Sequence, residues 1–248
     1  MYNLSPRLTL GVRKPGRYCA EIKESGCAPR LMEFSKGTTT LGFVFQGGII
    51  LAVDSRASQG SFLASSSVLK VLPVTDTIMG TLAGCAADCI FWLHHLAKIC
   101  HLRQLQEKEP VTVAAASKLL GNIFFQYKGY GLSAGIILGG YDYRGPQLYF
   151  LDDSCTRVKG KCFSCGSGST YAYGILDSQY RFDLTVDEAV ELGCNAIYHA
   201  THRDAGSGNT VTVYHIFEGG RKCMVDAKDV NELHREYCKQ KGQPLDQL

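Results

Sequence analysis

Apolar, β-branched and aromatic residues dominate Thr38 to Gln46 and Gly48 to Ala57, and Gly47-Gly48 between them predicts a hairpin. Lys70 to Val74 and Thr77 to Gly84 read as a second pair, turning at Pro73 to Asp76. The spacing then becomes helical. Two helices are expected, over Ala87 to Gln106 and, after Pro110, over Val111 to Tyr127. Ser133 to Tyr141 and Gln147 to Asp152 return to strand around the turn Asp142 to Pro146. A strand near Lys161 to Ser164 leads through Gly166-Ser167-Gly168-Ser169 into a helix reaching Ile175. Val186 to His202 places Ala189, Val190, Gly193, Ala196, Ile197 and Ala200 on a helical stripe. Thr210 to Phe217, Lys222 to Val225 and a helix from Lys228 to Lys239 close the pattern. Strands, two helices, strands, helices, strands is not the alternation of a parallel sheet. The order predicts an α+β fold, with two mainly antiparallel sheets packed together and covered by helices as an αββα sandwich.

Residues 1–37 show no such period. They hold three of the seven prolines, and seven Lys or Arg against three Glu. They lack the apolar stretch of a secretory signal, so the sequon Asn3-Leu4-Ser5 is expected to be idle. The segment reads as a flexible tail or as a removable propeptide. The two are compatible, because a cleavage site has to extend.

Composition narrows the function classes. With 248 residues, 45% of them apolar and 20% charged, the chain can build one large core without a second domain. A net charge of +3 with dispersed Lys and Arg argues against nucleic acid or an anionic membrane as partner. The richest apolar run, Ile49 to Val53, stops at Asp54, well short of a membrane span. Eleven cysteines without framework spacing read as reduced thiols of a cytosolic or nuclear protein. Cys162 and Cys165 form a lone CxxC inside a strand, and the histidines form no HExxH, so zinc is not expected.

The chemistry concentrates around Gly37-Thr38-Thr39-Thr40. It can be the β-branched start of a strand. It can also be a cleavage site whose product begins at Thr38, which would then carry a hydroxyl nucleophile and an α-amine base on one residue. Asp54 and Arg56 share a strand face at the end of an apolar run, and Lys70 is a lone charge in another. Asp54 and Lys70 can satisfy each other, or Lys70 can snorkel from a strand edge. Gly84-Cys85-Ala86-Ala87-Asp88 is either a tight turn or a junction that lets backbone N–H groups approach developing negative charge. Gly166 to Ala172 lacks the third glycine and the lysine of phosphate loops. Arg203 to Gly208 ends a helix with polar groups, as a turn or as support for a site.

These segments together resemble the proteasome beta subunits: Gly-Thr-Thr-Thr-Leu, Val-Asp-Ser-Arg-Ala, Lys70, Ala-Gly-Cys-Ala-Ala-Asp-Cys, Gln-Tyr-Lys-Gly, Gly-Ser-Gly-Ser-Thr-Tyr-Ala-Tyr-Gly and Ala-Thr-His-Arg-Asp. The similarity runs in order through residues 37–240, and is nearest to type 5, the chymotrypsin-like kind, and its immune counterpart type 8. It implies an N-terminal nucleophile hydrolase fold and a threonine protease acting on unfolded polypeptides without a cofactor. By this resemblance Thr38 is the nucleophile, freed when residues 1–37 are lost by autocatalytic cleavage after Gly37, and 38–248 form the catalytic domain. Asp54 and Lys70 support proton transfer. Ser167, Asp204 and Ser207 hold the amine and a water. Gly84 supplies the oxyanion N–H, and Ser58 and Ala86 align the peptide as an added strand. Ala57, Val68, Leu82, Ala86 and Cys89 line the pocket for the side chain before the scissile bond.

The resemblance also implies stacked seven-membered rings of alpha and beta subunits, in cytoplasm and nucleus. Four positions depart from the family's pattern: Gly42 in place of Ala, Leu82 in place of Met, Gly206 in place of an aromatic, and Asn209 in place of Gly. A structural ring subunit of little activity and a small-molecule amidase are the competing classes. The intact set of Gly37, Thr38, Asp54 and Lys70 favours the protease.

Overall fold

In the computed structural model, which describes residues 37–59 and 62–242, the first hairpin pairs Thr40 with Val53 through to Phe45 with Gly48. The expected leader over residues 1–36, with the sequon at Asn3, lies outside the described residues. In chain order the strands of the first half are β1 (Thr40–Phe45), β2 (Gly48–Asp54), β3 (Ala57–Gln59), β4 (Phe62–Ser65), β5 (Val71–Pro73), β6 (Ile78–Thr81) and β7 (Ala83–Gly84). Helices α1 (Ala86–Glu107) and α2 (Val113–Gln126) follow, then β8 (Ala134–Asp142), β9 (Gly145–Asp152), β10 (Arg157–Lys159) and β11 (Cys162–Cys165). The chain continues with α3 (Ser169–Gln179), α4 (Val186–Arg203), β12 (Thr210–Phe217), β13 (Gly220–Asp229) and α5 (Val230–Lys241).

Two antiparallel sheets carry the fold, in the orders β11-β1-β2-β12-β13 and β10-β9-β8-β6-β5. Strand alternation divides the core between them. Leu41, Phe43, Ile50 and Ala52 face one way and pack against Ala172, Leu176, Ala189 and Ile197 of α3 and α4. Val44, Ile49, Leu51 and Val53 face the other way and meet Met79, Ile137 and Leu148 of the second sheet. That sheet's outer face, with Ile78, Ile136, Leu138 and Leu151, is covered by Leu93, Leu96, Leu120 and Phe124 of α1 and α2. The result is the four-layer αββα sandwich, with each buried Leu, Ile or Phe contributing roughly 1.5–3 kcal/mol. Gly42 sits where the sheets approach closely, since a Cβ there would lie 2.7 Å from Leu51 Cδ2. The larger neighbours fill the space of the missing methyl.

Several boundaries differ from the sequence pattern. β2 ends at Asp54, and the residues read as its continuation start a separate hairpin, β3-β4. The run Thr77 to Gly84 is split: β6 pairs with the middle of β8 and β7 with its beginning. The helix from Ser169 continues to Gln179, and β13 runs on to Asp229, delaying the last helix to Val230. No helix among the described residues is long and apolar enough to cross a membrane.

Candidate active site

The residues leading into β1 and its first residue are buried, with Thr38, Thr39 and Thr40 exposed by 7%, 0% and 0%. β1 lies between β11 and β2, so its start is held from both sides: Asp54 N–H donates to Thr39 O at 3.2 Å and Gly168 N–H to Thr38 O at 3.3 Å. Beside this anchored segment Lys70 Nζ donates to Thr38 Oγ1 at 3.0 Å and to Asp54 Oδ1 at 2.6 Å. The alternative of a lysine snorkelling to solvent is thereby excluded, because Lys70 is 3% exposed. Thr38 Oγ1 in turn donates to the Gly37 carbonyl at 2.5 Å.

Asp54 receives three backbone donors besides Lys70. Thr39 N–H reaches Oδ1 at 3.0 Å, while Gly208 N–H and Arg56 N–H reach Oδ2 at 2.9 and 3.2 Å. Burial pushes the carboxyl up from its usual range; against it, Lys70 and the backbone donors favour the ionised form. Burial also lowers Lys70, opposed by the attraction of Asp54. A buried ammonium weakened in this way holds its proton less firmly than an ordinary lysine while it faces a hydroxyl.

A second carboxylate network adjoins the first. Helix α4 begins with a capping box between Thr185 and Glu188 and ends with Asp204 as its C-cap, where the chain turns extended. Asp204 Oδ2 accepts from Ser167 Oγ at 2.5 Å and from Ser207 Oγ at 2.6 Å. Ser167 Oγ accepts the Thr38 N–H at 3.1 Å. The structure therefore brings Thr38, Asp54, Lys70, Ser167, Asp204 and Ser207 into one continuous set of contacts.

Thr39 joins the two networks, and sequence reasoning gave it no role. Its N–H serves Asp54, and its hydroxyl shares a 2.7 Å hydrogen bond with Ser207 Oγ. The signal was present as a hydroxyl residue next to the proposed nucleophile, indistinguishable there from strand propensity. Arg56 was singled out for its charge alone. Its guanidinium spans Ala205 O and Asn209 Oδ1, at 3.1 and 3.0 Å. Asn209 occupies the left-handed region at φ 73°, which asparagine tolerates better than most residues. Gly206 donates its N–H to Asp204 Oδ1 at 3.1 Å, and its backbone presses on that of Gly37.

A cavity of about 290 Å³ opens beside Thr38 and Lys70. Ala57, Ser58, Val68, Leu82, Gly84 and Ala86 line it with Cys85 of the same junction, as do Gln59 and Ala64, which the sequence did not single out. Cys89 is not among the lining residues; it is fully buried, with its Sγ donating to Ala83 O at 3.3 Å. Gly84 has φ 106°, and a Cβ there would stand 2.7 Å from Ser133 O, so this corner of the cavity admits only glycine without strain.

The chain is 51% identical over 223 residues to "Proteasome subunit beta type-5" of Dictyostelium discoideum, covering 90% of this chain and 82% of that protein. It is 50% identical over 206 residues to "Proteasome subunit beta type-5" of Gallus gallus, covering 83% and 80% of the two chains. With "Proteasome subunit beta type-8" of Homo sapiens the identity is 50% over 206 residues, covering 83% and 74%. Residues 34–216 match the family described as "Proteasome subunit", and the chain belongs to that family.

Proposed function

We propose that this chain is a catalytic beta subunit of a proteasome core particle, a threonine endopeptidase that cuts unfolded polypeptides after large apolar residues. The observation that carries the proposal is the 3.0 Å contact from Lys70 Nζ to Thr38 Oγ1, with Lys70 anchored by buried Asp54. Once the Gly37–Thr38 bond is cut, the Thr38 amine takes the hydroxyl proton and Oγ1 attacks the substrate carbonyl. Lys70 stabilises the developing negative charge on Oγ1, and the Gly84 N–H stabilises the oxyanion. The protonated amine then gives its proton to the departing nitrogen. Water held near Ser167, Asp204 and Ser207 hydrolyses the acyl ester and restores the hydroxyl.

Before that cut the Thr38 nitrogen is an amide without a basic lone pair, so the precursor is inert toward peptides. Residues 1–37 act as its propeptide. Self-cleavage uses the same hydroxyl, which transfers the Gly37 acyl group from nitrogen to oxygen before water releases it. Ala57, Val68, Leu82 and Ala86 give an apolar wall for the side chain before the scissile bond, with Cys89 behind it. The segment at Ser58 and Ala86 supplies backbone groups that align the peptide as an added strand. The chain works in stacked seven-membered rings with other alpha and beta subunits, in cytoplasm and nucleus.

The test is the intact mass of the chain in purified particles, paired with peptide hydrolysis. A mature form beginning at Thr38 is expected, and Thr38→Ala should retain residues 1–37 and lose hydrolysis. Removal of the leader in that variant, with no active neighbouring subunit, would rule out self-cleavage; full-length wild-type chain in active-site-silent particles would favour a structural ring subunit.

A further inference from the structure

A second cavity, of about 270 Å³, meets the first at Thr38 and Gly84. Its walls include Ser133, Phe150, Asp152, Asp153, Cys165 and Ser167. The intact chain shows which end of a substrate belongs there. Gly37, the acyl side of the bond to be broken, lines the first cavity. The Thr38 N–H, the amine side, donates to Ser167 Oγ, which lines the second. A peptide has to follow the same order, because its carbonyl must meet Thr38 Oγ1 and its departing nitrogen must collect a proton from the amine held at Ser167.

The second cavity differs in charge from the apolar first one. Among the described residues no lysine or arginine lines it, and it holds two half-buried carboxylates. Asp152 Oδ1 is occupied by the Thr156 N–H at 2.8 Å. The Asp153 carboxylate has no hydrogen-bond or ion-pair partner among the described residues, although its own backbone is fixed by a 3.0 Å bond to Ala134 O. Both carboxylates act on the Cys165 thiol, which burial first and these charges in addition push up to about 11.

We infer that this cavity receives the side chain following the scissile bond, and that Asp153 makes it select lysine or arginine there. The inference rests on the function proposed above. The aliphatic stem of such a side chain would lie along Phe150, with its cation at Asp153 and Asp152. A glutamate would meet two like charges.

The experiment uses internally quenched peptides that differ only at the residue after the scissile bond, given to assembled particles whose other active sites are inhibited. The reading is the ratio of kcat/KM for Lys over Glu, which is independent of the amount of active enzyme. A ratio of about tenfold is expected, falling about threefold or more in Asp153→Asn, the scale of a partly exposed charge pair. In wild-type particles the ratio should also shrink as salt rises. A ratio near one, a preference for Glu, or a ratio unmoved by both Asp153→Asn and salt overturns the assignment. Peptides that wild-type particles leave uncut would overturn the reading of Thr38 itself, and this one with it.

Discussion

Lys70 Nζ lies 2.6 Å from Asp54 Oδ1, with the two side chains 3% and 0% exposed. Removing one partner of such a pair leaves the other charge buried and uncompensated, which costs about 3–5 kcal/mol, whereas removing both costs less. Asp54→Ala is therefore expected to unfold at clearly lower urea than the double variant Asp54→Leu with Lys70→Met. Equal midpoints for the single and double variants would show that the charges are not interdependent.

Turnover should respond to Lys70 separately from stability. Lys70→Ala is expected to lower kcat on the order of a hundredfold or more, the scale of losing one preorganised charge. Near-normal hydrolysis by assembled Lys70→Ala particles would remove Lys70 from the chemistry.

Leu82 is 2% exposed on the wall of the apolar cavity. It is branched and stiffer than the methionine common in the family, so the pocket reshapes less around bulky rings. Fluorogenic peptides ending in Leu or Trp should favour Leu modestly, and Leu82→Met should shift the balance toward Trp. An unchanged ratio in Leu82→Met counts against a role for stiffness, and a preference for Arg or Glu would contradict an apolar pocket.

Burial pushes the Cys89 and Cys162 thiols up to about 12, and Cys194 to about 11, from the ordinary 9.0. The unfolded chain ionises these thiols at lower pH than the folded chain does. Their contribution to stability is thus complete below about pH 9 and is lost as pH rises toward their folded values. The melting temperature should fall on going from about pH 8.5 to 10.5, and iodoacetamide at about pH 8 should label these cysteines only in denaturant. Rapid labelling of Cys89 in the folded protein would contradict the burial.

A Cβ added to Gly206 would lie 2.5 Å from Gly37 Cα, a separation that forces one of the two backbones to move. The clash exists only while residue 37 is attached. Gly206→Ala should therefore slow removal of residues 1–37 in a pulse-chase, with a smaller effect on kcat of particles already processed. Equal effects on both steps would place the role of Gly206 in the support of Asp204 instead.

The layers were legible from period and composition, because β1 and β2 place apolar residues on both faces and α4 carries one clear stripe. The β3-β4 hairpin was not. Its strands of three and four residues sit in a run rich in serine and glycine, where turn propensity conceals pairing. β10, with all three residues exposed, has no buried face to mark it. The sequence pattern ends the last strand at Val225 and starts a helix at Lys228, because Asp226, Lys228 and Asp229 have no apolar alternation to mark a strand. The register instead extends through Val211↔Lys228 and Thr210↔Asp229, past a shift near Val213. At the site, Asp54 and Lys70 stood out as charges among apolar neighbours. Thr39 did not, and neither did Asp153, which follows β9 and comes to line a cavity with Thr38 only through the packing of distant segments.

Chain ends are usually the frayed part of a domain. Here the end that the proposed cut would create is the root of a central strand, with Thr39 and Thr40 wholly buried. An aminopeptidase needs to draw a terminus into its own site in extended form, and an acetyltransferase needs the amine to protrude. Neither can be done without pulling β1 out from between β11 and β2. The residue proposed as both nucleophile and base would thereby be shielded from trimming and blocking enzymes, and the working life of the site tied to the life of the sheet.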